Sequence, residues 1–184
     1  VSRIVSIPIS DVGALVRFRF LVVNLVSTQL KLRYHRSALG VCWTLLNPLL
    51  LLGVQAIAFS QILNLPVASY ALYLLSGLVP WQFFSTAIEA ASRALITNER
   101  LIKAMPIPKF IFPLTDVVVS LVHAGFALVA FLLLAILFGA PIQRQIVLLP
   151  VGAVLLAAFT LGLALIAMTL MTFFRDFAHV IGVF

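Results

Sequence analysis

The chain has 184 residues, 64% of them hydrophobic and only 9% charged, with a formal net charge of +7 and a mean hydropathy of +1.23. A soluble domain carries roughly 25% charged residues, so a chain of this composition cannot cover a water-facing surface. Its basic residues lie beside apolar runs rather than on a face interleaved with aromatics, which argues against nucleic-acid binding.

The one cysteine, Cys42, excludes a disulfide within the chain and a multi-cysteine metal site, and reads as a small buried residue at the start of a span. The chain begins with Val1 and ends at Phe184 inside an apolar stretch, so both ends read as limits of a longer protein. Residues 12–26 have the apolar character of a signal-peptide core. Arg17 and Arg19 interrupt them and no small-residue cleavage site follows, so a cleaved signal is rejected.

Residues 12–36 predict an amphipathic helix. Arg17, Asn24, Thr28, Lys31 and His35 form a polar stripe at helical period, and Leu15, Phe18, Val22, Leu25 and Leu32 supply an apolar face. Such a helix lies in the membrane interface with its basic side chains reaching for head groups; the other reading is a first spanning helix with awkward charges.

From Arg36 to Glu89 the chain runs 52 residues without a charge. As one helix these would be about 78 Å long at ~1.5 Å per residue, against a hydrocarbon core of ~30 Å. The stretch therefore crosses twice, over 41–63 and 70–92, turning near Asn64-Leu65-Pro66. The uncharged runs 117–143 and 145–174 supply two more spans, at 110–138 and 146–172, and 177–184 starts a fifth. Pro48 and Pro80 fall within spans, and Pro113 and Pro150 near span ends. Kinks are expected there, because neighbouring helices re-satisfy the freed carbonyls. The expectation is an all-α polytopic membrane protein with a single transmembrane domain and no internal repeat.

Eleven of the twelve basic residues fall on one side if the amino terminus is inside: six before the first span, Arg93, Arg100, Lys103 and Lys109 in the second connection, and Arg175 after the fourth span. The outer connections hold only Arg144, so the positive-inside rule sets the amino terminus in the cytoplasm.

The second connection carries a short amphipathic helix over 98–105. Asn98 suits its N-cap, Glu99 its first turn, and Pro106 and Pro108 its end. Leu101, Ile102 and Met105 fall on one side, with Glu99, Arg100 and Lys103 polar. This pattern suits either docking in a groove of a soluble partner or an ordinary solvated connector. Glu89 and Arg93, acid first and four apart, favour an intrahelical pair over proton transfer. Asp116, Ser120 and His123 share a face of the third span, where intramembrane ionisable groups are functional candidates, or else bond a neighbouring helix. They lack the third ligand or nucleophile that a metal or hydrolase site needs. Trp43 and Tyr70 fit interfacial belts, whereas Trp81, Phe83 and Phe84 lie deeper, suited to helix packing or to stacking on sugar rings. No G-x-x-x-x-G-K-[S/T] loop occurs, so nucleotide would be bound through a P-loop only on another polypeptide.

Leu30-Lys31-Leu32-Arg33-Tyr34-His35-Arg36-Ser37-Ala38-Leu39-Gly40, then Trp43-Thr44-Leu45-Leu46-Asn47-Pro48, resembles the approach to the first span in permeases of ABC-type polysaccharide exporters. That group exports O-antigen, capsular polysaccharide and teichoic acid. Ser76-Gly77-Leu78-Val79-Pro80-Trp81-Gln82-Phe83-Phe84 is similar to its second-span signature, Asn98 to Lys103 with Met105-Pro106 to its coupling segment, and Phe173-Phe174-Arg175-Asp176 to the turn after its fourth span. The family often carries a bulkier aromatic near the coupling segment than this chain does.

The resemblance implies six spans per subunit, a homodimer of permease subunits, and two copies of a separate ABC ATP-binding subunit that hold ATP and Mg; this chain itself needs no cofactor and is no enzyme. It implies that Asn98, Glu99, Arg100, Leu101 and Lys103 couple to that ATPase, and that 12–36 packs on membrane and ATPase. Arg33 and Arg36 would contact the phosphates of an entering lipid-linked polysaccharide, and Trp43, Trp81 and Phe84 would line the glycan path in the bacterial inner membrane. Competing classes are a secondary transporter or channel, which needs midplane ion-coupling groups; an intramembrane sugar transferase, which needs a convergent acid/base set; and an ABC-type exporter of a lipid or drug.

Overall fold

Inside hydrocarbon every backbone N–H and C=O needs a partner within the protein, and a helix provides one residue by residue. A computed structural model describes residues 12–34, 50, 53–62, 64, 66–104, 107–140 and 144–174; at 12–17, 33, 34 and 145 the description covers the backbone alone. The described residues form α1 (Val12–Tyr34), α2 (53–62), α3 (Val67–Ser92), α4 (Ala94–Thr97), α5 (Glu99–Ala104), α6 (Ile111–Leu137), a 3-10 turn (Arg144–Leu148) and α7 (Leu149–Phe173). Among the described residues three helical stretches, Val67–Ser92, Ile111–Leu137 and Ile146–Phe173, are long and apolar enough to cross a membrane. The chain is an all-α polytopic membrane protein. Residues 41–52 of the first expected span fall almost entirely outside the described residues, as do the fifth-span start at 177–184, Cys42 and Pro48.

Small residues let these helices approach. Ala87 and Ala91 of α3, Val117 of α6 and Ala164 of α7 are buried together with Phe83. On α7 the buried set is Thr160, Ala164, Ala167, Met168 and Met171, a single stripe at helical spacing. Lipid tails are as apolar as leucine, so helix association rests on close van der Waals contact, which alanine permits. A second cluster joins α2, α3 and α6 through Ala56, Ala71 and Leu75, with Leu134 packed on it. The outer faces, including Phe126, Leu133, Val154 and Ile166, remain exposed, as a lipid-facing surface requires.

Hydroxyls inside the helices bond back to their own backbone: Thr115 Oγ1 to Ile111 O at 2.8 Å, Thr160 Oγ1 to Leu156 O at 2.7 Å and Ser92 Oγ to Glu89 O at 2.8 Å. Among the described residues no buried side-chain nitrogen or oxygen lacks a partner. α3 runs through Pro80 without a break, whereas Pro113 and Pro150 lie in the first turns of α6 and α7, where the missing N–H costs no helical bond.

Asn64 turns the chain between α2 and α3 in the left-handed region, at φ 54°. α6 stops at Gly139, φ 66°, whose N–H bonds Ile136 O at 3.0 Å while Ala140 N–H bonds Ala135 O at 2.9 Å. That pair of bonds is a Schellman cap, and glycine reaches its geometry without strain.

α1 packs on α6; Val22, Leu25 and Gln29 are half-buried, whereas Asn24, Thr28 and Lys31 are exposed. Leu32, expected on the apolar face, is instead 71% exposed. Phe20 is exposed as well and lies under the Arg19 guanidinium, 4.8 Å from its ring centre. An apolar ring capped by a cation suits a head-group boundary.

Candidate functional site

The connection from α3 to α6 carries the short helix that the sequence singles out. Asn98 joins α4 to α5, and its carbonyl accepts from Ile102 N–H at 3.1 Å, the backbone position of an N-cap. Its side chain does not cap α5 as expected. Nδ2 donates instead to Ala94 O at 2.9 Å, which also accepts Asn98 N–H at 3.1 Å. A carbonyl at a helix end has two lone pairs to fill, and the preceding turn α4 supplies one within reach.

α5 contributes no buried residue. Glu99 in its first turn and Lys103 in its last complement the helix dipole and pair with each other, with side chains 63% and 74% exposed. Arg100 and Leu101 are exposed beside them and Ile102 is half-buried; Met105 and Pro106 lie outside the described residues. The outcome is a small, charge-rich helix held on the rim of the bundle.

Beside it opens a cleft of about 630 Å³ between α3 and α6, closed at one edge by α1. Polar groups step along one face of α3 (Gln82, Thr86, Glu89, Arg93) and one face of α6 (Asp116, Ser120, His123), both at intervals of three and four. Arg93 Nη2 lies 3.4 Å from Glu89 Oε1, and both side chains are about half exposed, at 48% and 51%. Asp116 is 8% exposed, and its Oδ1 accepts from Gln29 Nε2 of α1 at 2.9 Å. The expected Asp116-Ser120-His123 face thus exists and points into a shared cleft. Gln29 was not anticipated. Its signal was an amide placed in the row Val22, Leu25, Leu32, where every other position is apolar. Among the described residues no group of three or more His, Cys, Asp or Glu is placed to hold a metal ion.

The aromatic residues separate into two environments. Phe83 is buried in the core, whereas Trp81 is 50% exposed. Phe84 bridges outward, 5.9 Å from Trp81 and stacked on Phe159 of α7 at 6.1 Å and 14° between planes. Phe159 is the partner that sequence reasoning missed. Arg33 lies in the last turn of α1, described by its backbone alone, while Arg36 and Trp43 lie outside the described residues.

No family model matches the chain. It is 31% identical over 171 residues, 93% of its length, to the O-antigen export system permease protein RfbA of Myxococcus xanthus. It is also 30% and 29% identical, over 157 residues each, to two proteins of the same name from Klebsiella pneumoniae. The chain belongs to the polysaccharide-exporter permease family. It spans 66% of the Myxococcus relative and 61% of each Klebsiella relative. The charged connection helix, α5, and the polar cleft lie at the same end of the bundle, since α3 leads into Arg93 and α6 starts again at Ile111.

Proposed function

We propose that the chain is the transmembrane subunit of an ATP-driven exporter that moves a lipid-linked cell-surface polysaccharide of O-antigen, capsule or teichoic-acid type across the bacterial inner membrane. The observation that carries this reading is the alignment of 93% of the chain with an O-antigen export permease, including the spans and the α5 segment. In this reading two permease subunits pair and two ATP-binding subunits, which hold ATP and Mg, dock beneath them. The amino terminus is cytoplasmic, because that orientation puts eleven of twelve basic residues inside.

α5 is the element suited to receive the motion of the ATPase. It is short and exposed, its ends are electrostatically matched, and it is joined to α3 by a single helical turn. Asn98, Glu99, Arg100, Leu101 and Lys103 form the docking surface. Arg33 and Arg36 meet the phosphates of the lipid carrier, where a guanidinium forms paired charge-assisted bonds. Trp43 and Trp81 supply ring faces on which a sugar polymer can stack and slide, and Phe84, stacked on Phe159, backs Trp81 from the α7 side. The chain performs no catalysis itself.

The deciding experiment is a pull-down of the tagged, gently solubilised full-length protein, with ATPase activity assayed on the eluate. A stoichiometric P-loop partner that is lost on joint replacement of Glu99, Arg100 and Lys103 is the expected result. A folded protein that elutes with no nucleotide-binding partner would overturn the reading and favour a secondary transporter. Replacing Arg33 and Arg36 together by Gln should reduce export and ATPase stimulation; unchanged values remove their phosphate role.

A further inference from the structure

We propose that the cleft between α3 and α6 is a binding site for a membrane phospholipid with a zwitterionic ammonium–phosphate head group, of the phosphatidylethanolamine type. The cleft's volume, about 630 Å³, lies within the ~300–1,000 Å³ range of small-ligand pockets. Its lining changes character along its length. Val79 and Phe83 of α3 and Ala124 and Ala127 of α6 lie toward the middle of the bundle, with the uncharged Gln82 and with His123 among them; the acidic and guanidinium groups, Glu89, Arg93 and Asp116, lie toward the end where α3 and α6 are connected. The two helices are successive spans running in opposite directions, so the polar ends coincide and the apolar ends coincide. That is the polarity of a phospholipid lying with its head toward the membrane surface and its tail toward the midplane.

The charges choose the head group. Glu89 and Asp116 are carboxylates and Arg93 is a cation, all within one lining. A purely anionic head would find Arg93 but also the half-exposed Glu89 carboxylate beside it, and a zwitterion brings both signs with no net charge. The Arg93 guanidinium has five N–H donors, and its contact with Glu89 at 3.4 Å is longer than a good hydrogen bond, so a phosphate oxygen competes for it on favourable terms. A primary ammonium has three N–H donors for acceptors such as Glu89 and Asp116, whereas trimethylated choline has none. The site therefore discriminates between two head groups of equal charge by their hydrogen bonds. This inference stands apart from the identity of the exported polymer.

The test reconstitutes the full-length protein in vesicles with equal amounts of phosphatidylethanolamine and phosphatidylcholine of matched acyl chains, re-extracts it gently, and counts retained lipid by native mass spectrometry. Preferential retention of phosphatidylethanolamine by about tenfold, equivalent to ~1.4 kcal/mol, is expected. Asp116→Asn and Arg93→Gln should each abolish the preference. Thr86→Trp, which fills the cleft from an exposed wall position without altering a charge, should abolish retention while the protein stays monodisperse and helical. Equal retention of the two lipids, a preference for phosphatidylglycerol, or a preference that survives Thr86→Trp would each overturn the proposal. None of these readouts depends on the ATPase partner, so the lipid site and the export reading fail separately.

Discussion

Gln29 and Asp116 lie 87 residues apart, yet the amide Nε2 of Gln29 donates to Oδ1 of Asp116 at 2.9 Å. The bond ties α1, a helix with exposed polar and aromatic groups, to the buried start of α6. Ile111, Phe112, Pro113, Thr115 and Val117 are buried there as well, so α1 is anchored on the most buried part of α6. A displacement of α1 cannot leave Asp116 unaffected.

Removing the donor should therefore destabilise more than removing the charge. Gln29→Ala leaves a nearly buried carboxyl short of a partner and should cost ~1–3 kcal/mol. Asp116→Asn keeps an oxygen that accepts the same bond and should cost less. Thermal unfolding of the full-length protein in detergent checks the order. Additive losses in a Gln29→Ala/Asp116→Ala double-mutant cycle would show that the pair is not coupled.

The alanine contacts predict a sharp contrast between two positions six residues apart on α7. Ala164 is buried against the α3 stripe that contains Ala87 and Ala91, so Ala164→Leu forces the helices apart and should cost ~1–3 kcal/mol. Ala158 is exposed, and Ala158→Leu should stay within ~0.5 kcal/mol. The same melting measurement distinguishes them; equal effects would mean that the α3–α7 contact tolerates widening.

The spans were legible because charge-free length is a one-dimensional signal: 70–92, 110–138 and 146–172 were expected, and helices occupy Val67–Ser92, Ile111–Leu137 and Leu149–Phe173. The faces of those helices were harder to read. A soluble helix reveals its buried side by hydrophobic period, but in lipid both sides are apolar, and Ala87, Ala91 and Ala164 look unremarkable in sequence. The Asp116-Ser120-His123 face was visible because polar residues in a span stand out. Its partners on α3 and Gln29 were not, since pairing between helices is set by a rotation that one helix's spacing does not contain. Asn98 was assigned the right backbone position and the wrong side-chain bond, because the extra turn α4 leaves no mark distinct from the end of α3.

Gly139 and Gly162 should respond oppositely to the same substitution. Gly139 holds φ 66° in the Schellman cap, and Gly139→Ala should cost ~1–2 kcal/mol although no atom lies within 4 Å of the new methyl. Gly162 lies inside α7 with open space around it, and Gly162→Ala should gain up to ~1 kcal/mol of helix propensity. A Gly139→Ala variant as stable as the parent would show that the cap does not fix the end of α6.

The aromatic pair should separate transport from folding. Phe84 is stacked on Phe159, so Phe84→Ala loses an interhelical contact of ~0.5–1.5 kcal/mol beyond its buried area, and expression should fall with activity. Trp81 is half exposed, and Trp81→Ala should slow polymer export more than it lowers expression. Comparing export per unit of folded protein decides the matter; equal losses for Trp81→Ala would assign that ring to packing.

Exchanging the charges of α5 tests whether its sequence or only its shape matters. Glu99→Lys with Lys103→Glu retains an ion pair four residues apart but reverses it against the helix dipole, a loss of only a few tenths, ~0.2–0.5 kcal/mol, in an exposed pair. Folding stability should therefore be almost unchanged. The surface offered to a docking partner is inverted, so association with the ATP-binding subunit and stimulation of its ATPase should fall at least tenfold, a difference of ~1.4 kcal/mol. Restoration by complementary charge reversal on the partner would identify the contact as electrostatic. A swapped protein that couples normally would mean that α5 acts as a rigid lever, gripped through Leu101 and Ile102 rather than recognised by its charges.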